Sequence, residues 1–142
     1  MRVIAAVALS GLREENPIGP LDSSRMTTFL FWNLNRRDLA HLVNQVVYEN
    51  EVDVLILAEC EVPSNKVLSS LNGNRKHEFH FPTSLCERVR IFTRFSRRFI
   101  RPLYETDRLT IRRLRLPATP EILLAAVHLP SKALLLEREP GF

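Results

Sequence analysis

Residues 27–59 read TTFLFWNLNRRDLAHLVNQVVYENEVDVLILAE and decide the fold, because three patterns of different period follow one another. Residues 27–32 are β-branched and aromatic, which predicts a buried strand that Asn33 ends. Apolar residues recur every three or four positions over 37–48, which predicts an amphipathic helix. Residues 52–58 predict a second strand. A strand, a helix and a strand in succession favour a right-handed β-α-β unit, whose two strands run parallel and end at one edge.

The pattern changes after this unit. Residues 63–71 predict a second helix that opens with proline. Short apolar or alternating runs separated by turn residues then predict strands in succession, as an antiparallel extension of the sheet. These runs are 77–81, 88–95, 99–104, 108–116 and 122–127. We therefore expect one α/β (α+β) domain with a mixed β-sheet flanked by helices.

The amino-terminal residues 1–25 collect turn formers and charges without a helical or strand period, and we interpret them as a loose leader outside the fold. The domain is then 26–142. The opening MRVIAAVAL has the outline of a signal peptide with a short apolar core, which leaves secretion open beside the cytoplasmic location that we expect. No apolar stretch approaches the roughly 20 residues that span a bilayer, so no transmembrane segment is predicted.

The charge of the chain is unevenly distributed. The net charge is +4, but ten arginines lie between Arg88 and Arg115, with Glu105 and Asp107 as the acids among them. Such an excess attracts phosphates, although alternating arginines can equally be the solvated face of a sheet. Cys60 and Cys86 are in no short-spaced metal motif, and we expect free buried thiols.

Three polar residues each end an apolar run: Asn33 follows FLFW, Glu59 follows VLILA, and His128 follows ILLAAV. In open α/β sheets, ligands bind outside the carboxyl ends of the strands. Each residue also has a structural interpretation. Asn33 and Asn35 suit turns or a helix cap, Glu59 can be a solvated residue after a strand, and His128 precedes Pro130. Together, an amide, a carboxylate and an imidazole at one edge suit a Mg²⁺-assisted phosphate site.

The segment 31–35, FWNLN, resembles the first strand of the endonuclease/exonuclease/phosphatase superfamily, and 53–59, DVLILAE, is similar to the strand that ends in its metal-binding glutamate. RIFTRF at 90–95 resembles the following strand, and VHLPSK at 127–132 resembles the segment with the first active-site histidine. The resemblance implies the first half of a four-layer α-β-β-α sandwich. It also implies a phosphodiester or phosphomonoester hydrolase acting on nucleic acids, inositol phosphates or lipid head groups, with Mg²⁺ or Mn²⁺ as cofactor.

Carried over by position, the resemblance makes Glu59 and Asn33 metal ligands. Asn33 and Asn35 would orient metal-bound water or phosphate, and His128 would donate to a phosphate oxygen or the leaving group. Arg94, Arg97 and Arg98 are candidates for guiding the substrate.

The sequence departs from the family after His128, where no Gly-Asp-x-Asn or Ser-Asp-His motif follows. We therefore expect a catalytically incomplete hydrolase, with one sheet face left for a missing second half or a partner chain. Two other hypotheses remain open. The chain can be a non-catalytic module that binds nucleic acid or acidic lipid through residues 88–115, or an obligate subunit whose partner supplies the second sheet.

Overall fold

The computed structural model describes residues 27–73, 78–117 and 119–129, which form two α-helices and two three-stranded β-sheets. The leader, residues 1–25, and the segment from Pro130 onward lie outside the described residues. Six strands make up the two sheets: β1 (Phe29–Asn33), β2 (Val54–Ala58), β3 (Val89–Thr93), β4 (Ile100–Glu105), β5 (Leu109–Leu114) and β6 (Ile122–Val127).

The predicted β-α-β unit is confirmed. β1 and β2 pair in parallel, with Asn33 opposite Ala58 at their carboxyl ends, and helix α1 (Ala40–Glu49) connects them. β3 adds to β2 in the antiparallel sense, so the first sheet has the order β1-β2-β3. Asn33 and Glu59 therefore leave the sheet side by side.

The later strands form a second sheet, so the expected extension of one mixed sheet is wrong. Strands β4, β5 and β6 pair antiparallel in that order, after a 3₁₀ turn at Arg97–Phe99. The alternating pattern predicted the strands but not their neighbours, because alternation reports which face is buried and not which strand lies alongside. Of the strand predicted at 77–81, residues 78–81 are described, and they do not form a strand. His80 makes an isolated bridge to Thr93 there.

Both predicted helices are present, but α1 begins at Ala40, later than the pattern suggested. Asn35 is not its cap. The N-cap position is Leu39, and the Asp38 carboxylate accepts a hydrogen bond from the Ala40 N–H at 3.3 Å. Asn35 has a positive φ of 49°, which a helical residue does not adopt. Helix α2 (Ser64–Asn72) follows Pro63, as the sequence predicted.

The described residues are arranged in three layers. The helices cover one face of the first sheet, where Val43 and Val47 of α1 pack with Leu55 and Leu57 of β2. The second sheet covers the other face, in a cluster of buried residues that lies between the sheets. Its members are Val54, Ile56, Cys86, Val89, Ile91, Ile100, Leu114 and Ala126. Every residue of β2 is consequently buried, as its unbroken apolar run predicted.

The expectation of an uncovered face on the first sheet is wrong, because the second sheet lies on it. It is the outer face of the second sheet that exposes large apolar side chains. Leu123 is 65% exposed, Tyr104 56% and Val127 49%.

A buried ion pair between β4 and β5 also binds the loop before β3 through hydrogen bonds. Arg112 lies on the inner face of β5 with its side chain 1% exposed, and its Nη2 is 2.6 Å from Oε1 of Glu105, which is 7% exposed. Arg112 also donates to the Thr83 carbonyl at 2.9 Å and, through Nε, to the Thr110 hydroxyl at 3.1 Å. In the sequence, Arg112 is one of the ten arginines between Arg88 and Arg115, and nothing in the pattern distinguishes it as buried.

Glu105 accepts further hydrogen bonds, from the Ser84 hydroxyl at 2.9 Å and the Leu85 N–H at 3.0 Å. Burial alone would raise the pKa of the Glu105 carboxyl. The bonds from Leu85, Thr110 and Ser84, together with the charge of Arg112, outweigh that effect and lower the pKa to about 2. Glu105 therefore stays ionised and fixes the loop at residues 83–86.

Candidate functional site

The structure brings together the three polar residues that end strands. Nε2 of His128 lies 2.7 Å from Oε1 of Glu59, although the two residues are 69 positions apart. The Asn33 side chain is close enough to the Glu59 carboxylate to lower its pKa. The backbone N–H of His128 donates to the Arg108 carbonyl at 2.8 Å, which continues the β5–β6 pairing up to the site. An amide, a carboxylate and an imidazole thus meet at one end of the packed sheets.

The turn after β1 gives Asn33 its orientation. Oδ1 of Asn33 accepts a hydrogen bond from the Asn35 N–H at 2.8 Å. A carboxylate can only accept, so it is the amide N–H of Asn33 that can face Glu59. The backbone of the turn is held to the end of β2, because the Leu34 N–H bonds the Ala58 carbonyl and the Arg36 N–H bonds the Glu59 carbonyl. Among the described residues, Asn35 contributes to this cluster through its backbone.

Left-handed backbone is concentrated at this edge. Asn35 and Arg36 have φ of 49° and 61°, and Glu59 has φ of 50°. Asn adopts this region readily, but for Glu it costs roughly 1–3 kcal/mol. The Glu59 conformation is supported by its backbone bonds to Arg36 and Arg88. Strain of this kind is often found where a side chain must be aimed at a ligand.

The pKa of the Glu59 carboxyl is lowered from its ordinary value. The hydrogen bond from His128 is the largest cause, and partial burial opposes it. The Asn33 amide and the charges of His128 and Arg36 lower the pKa further. Glu59 is therefore an anion at neutral pH, as a metal ligand must be.

His128 is mostly enclosed, with 14% of its side chain exposed. Since the Glu59 carboxylate accepts, the proton between them belongs to Nε2 of the imidazole. Nδ1 is buried and has no hydrogen-bond partner within the described part of the chain. Buried polar atoms usually have a partner, so this nitrogen retains the capacity for one more bond.

A broad depression of about 700 Å³ opens beside Glu59. Its lining alternates in charge. The charged residues around it are Arg36, Arg88, Arg90, Glu59, Glu61 and Glu87. Arg36 is exposed and lies 3.9 Å from Glu61, and Arg90 donates to the Val62 carbonyl. Sequence reasoning did not assign Arg36 or Arg88 to the site, although Arg36 directly follows the FWNLN segment and was accessible to such an assignment.

The arginines that were assigned to substrate guidance are located elsewhere. Arg94 is 3.7 Å from Asp53, at the amino end of β2, whereas Glu59 follows its carboxyl end. Arg97 and Arg98 precede β4, whose first residue pairs with the last residue of β5. His128 is next to the opposite end of β5, about six residues or roughly 20 Å away. Arg94, Arg97 and Arg98 therefore do not line the site.

The donor set fits a hard divalent cation in part. Glu59 offers carboxylate oxygens, whereas the Oδ1 of Asn33, the other predicted ligand, already accepts a hydrogen bond from the Asn35 N–H. Mg²⁺ is commonly held by one or two carboxylates with water and substrate oxygens. The described residues contain no group of three or more His, Cys, Asp or Glu side chains that could hold a metal ion. A cation here would depend on water, phosphate or groups outside the described residues for its remaining ligands.

No family model, curated protein or solved structure matched the chain. The resemblance to the endonuclease/exonuclease/phosphatase superfamily thus stays a prediction. Within the described ranges, neither helix has the length and apolar character to cross a membrane. The free, buried thiols predicted at Cys60 and Cys86 are confirmed, and burial raises the pKa of both, which makes them poor nucleophiles.

Proposed function

We propose that this chain carries part of a Mg²⁺- or Mn²⁺-dependent phosphoesterase site. Glu59 would hold the cation with help from Asn33, and His128 would face the phosphate. The observation that supports the proposal is the convergence of these three residues from the ends of β1, β2 and β6. Polar residues that merely end strands would not be expected to hydrogen-bond each other across 69 positions of sequence.

The role proposed for each residue is based on its position at the site. A bound cation would supply Lewis acidity to a phosphoryl oxygen and a template for the substrate. Glu59 is kept ionised and oriented by Asn33 and His128. His128 can donate its Nε2–H to a phosphoryl oxygen or a departing oxygen at the same edge once the Glu59 carboxylate turns from it to the cation. Arg36, beside Glu59 on the rim of the depression, adds positive charge for a phosphate.

The proposed site is incomplete within the described residues. It has Glu59 as its single acid within hydrogen-bonding reach of His128, and His128 is already engaged by that carboxylate. A group that activates water would have to come from elsewhere, from a second half of a four-layer sandwich or a partner chain. The class of substrate that we propose is a phosphate ester, with nucleic acid as one member.

Ligand binding tests the proposal more sharply than turnover. Amide NMR spectra would be recorded with Mg²⁺ alone and then with Mg²⁺ and dimethyl phosphate, a minimal phosphodiester. We expect Mg²⁺ to shift the signals of Leu34, Arg36 and Cys60. Dimethyl phosphate should then shift His128, and should do so when Mg²⁺ is present.

The matched variants are Glu59→Gln, which removes the proposed ligand, and Glu61→Gln, which removes an exposed acid two residues away. The first should abolish both responses and the second should keep them. Equal responses in the wild type and Glu59→Gln, or none in the wild type, would exclude the proposed site.

A further inference from the structure

The outer face of the second sheet has a basic end. Arg101 of β4 is directly opposite Arg113 of β5 in the register, so both project from one face. Arg113 is in turn opposite Leu123 of β6. Arg101 and Arg113 are exposed, and like charges directly across a strand pair repel each other. An anion bound between them would remove that repulsion.

More positive charge surrounds this pair. Arg97 and Arg98 are exposed in the turn before β4, and the Arg115 N–H donates to the Phe99 carbonyl, which places Arg115 beside that turn. Glu121 is the neighbouring acid, at 3.1 Å from Arg113 and 3.9 Å from Arg115. Among the described residues, five arginines therefore lie near one glutamate, roughly 20 Å along the strands from His128, which contacts Glu59. This basic end is separate from the candidate site.

The rest of the same face is apolar. Alternation along the strands places Tyr104, Ile111, Leu123 and Val127 on the side of Arg113. Leu103, at the irregularity in β4, is also 49% exposed. The sheet thus presents a flat strip with arginines at one end and exposed leucine, valine and tyrosine along its length.

We infer that this face docks on an anionic phospholipid bilayer. Lipid phosphates would neutralise the basic end, and the apolar side chains would enter the interface between head groups and acyl chains. A nucleic acid would satisfy the arginines but would leave Leu123 and Val127 against a polar polymer. A second copy laid on this face would bring another five arginines to the same surface. The bilayer is the occupant that uses both halves of the strip.

Vesicle co-sedimentation tests the inference on the full chain. Vesicles of phosphatidylcholine with 30% phosphatidylserine, as a chosen composition of roughly physiological charge, would be compared with pure phosphatidylcholine. We expect binding to the anionic vesicles, weakening as salt is raised. Arg101→Gln/Arg113→Gln should lower the partition coefficient about 25-fold, since each arginine near such a surface contributes roughly a five-fold factor. Leu123→Asn/Val127→Asn should also weaken binding.

The matched controls are Lys66→Gln and Leu42→Asn, which change an exposed lysine and a partly exposed leucine on the helical layer. Neither should alter binding. Equal binding to both kinds of vesicle, or equal losses in controls and test variants, would overturn the inference. So would tighter binding to a DNA oligonucleotide than to anionic vesicles, or a dimer in sedimentation equilibrium that Leu123→Asn dissociates.

Discussion

Replacing Glu105 by Gln should destabilise the fold more than any other single loss of charge among the described pairs. The change preserves the shape of the side chain but leaves the Arg112 guanidinium buried without its counter-ion. Arg112 has no route to solvent, because its side chain is 1% exposed. Its Nη1 already lacks a hydrogen-bond partner among the described residues, so the bond to Glu105 is one of few that compensate for burying the guanidinium.

Two estimates of the cost agree. Breaking a buried ion pair by removing one partner typically costs about 3–5 kcal/mol. The pKa of Glu105 falls from 4.5 to about 2, and at about 1.4 kcal/mol per unit this corresponds to roughly 3 kcal/mol. Because the folded pKa is the lower one, this stability is present above about pH 4.5 and is lost as the pH falls toward 2.

Urea unfolding at pH 7 and at pH 3 measures the effect. Glu105→Gln should lose about 3 kcal/mol at pH 7 and about half of that or less at pH 3. Glu121→Gln is the matched control, because the Arg113–Glu121 pair is about half exposed and should contribute less than about 1 kcal/mol. A double variant, Glu105→Gln/Arg112→Met, should recover most of the loss, because it removes the unpaired charge and keeps an acceptor at residue 105 for the Leu85 N–H. If the Glu105 and Glu121 variants lost the same free energy of unfolding, the buried ion pair would contribute no more than the exposed one, contrary to this prediction.

Three further predictions concern the site and the thiols. His128→Asn should raise the pKa of the Glu59 carboxyl, because the hydrogen bond from His128 is the largest cause of the lowered pKa. A carboxyl-carbon NMR titration measures this pKa, and an unchanged value in the variant would contradict the prediction. The chain alone, in Mg²⁺, should hydrolyse bis(4-nitrophenyl) phosphate no faster than Glu59→Gln, whereas clear wild-type turnover would show that the described residues suffice. Cys60 and Cys86 should both react with a disulfide reagent far more slowly than in urea, because burial raises their pKa, and rapid reaction of either in native protein would contradict its placement.

The sequence was most informative where one local pattern decides the structure. The run before Asn33 and the run before Glu59 predicted two parallel strands with a common edge, because a helix between two strands leaves few topologies. The same rule predicted that their terminal side chains would meet. His128 was predicted to join them at the edge of one sheet, but its strand is in the other sheet, and it reaches Glu59 because the two sheets pack together.

Other features depended on tertiary packing. In LTIRRL the alternation places Thr110, Arg112 and Leu114 on one face, but a buried arginine and a solvated one look alike in sequence until Glu105 is located. The positions of Arg97 and Arg98 relative to Glu59 depend on how the two sheets pack. Local periodicity carries no information about that packing. The left-handed backbone at Glu59 likewise had no signal, since glutamate rarely adopts it.

A count of bound Mn²⁺ shows whether Glu59 holds a cation. Free Mn²⁺ would be counted by electron paramagnetic resonance during titration of the wild type, Glu59→Gln and Glu61→Gln. We expect one specific Mn²⁺ site in the wild type and in Glu61→Gln. Glu59→Gln should weaken the Mn²⁺ affinity of that site at least about ten-fold. The same affinity in all three proteins would contradict this expectation.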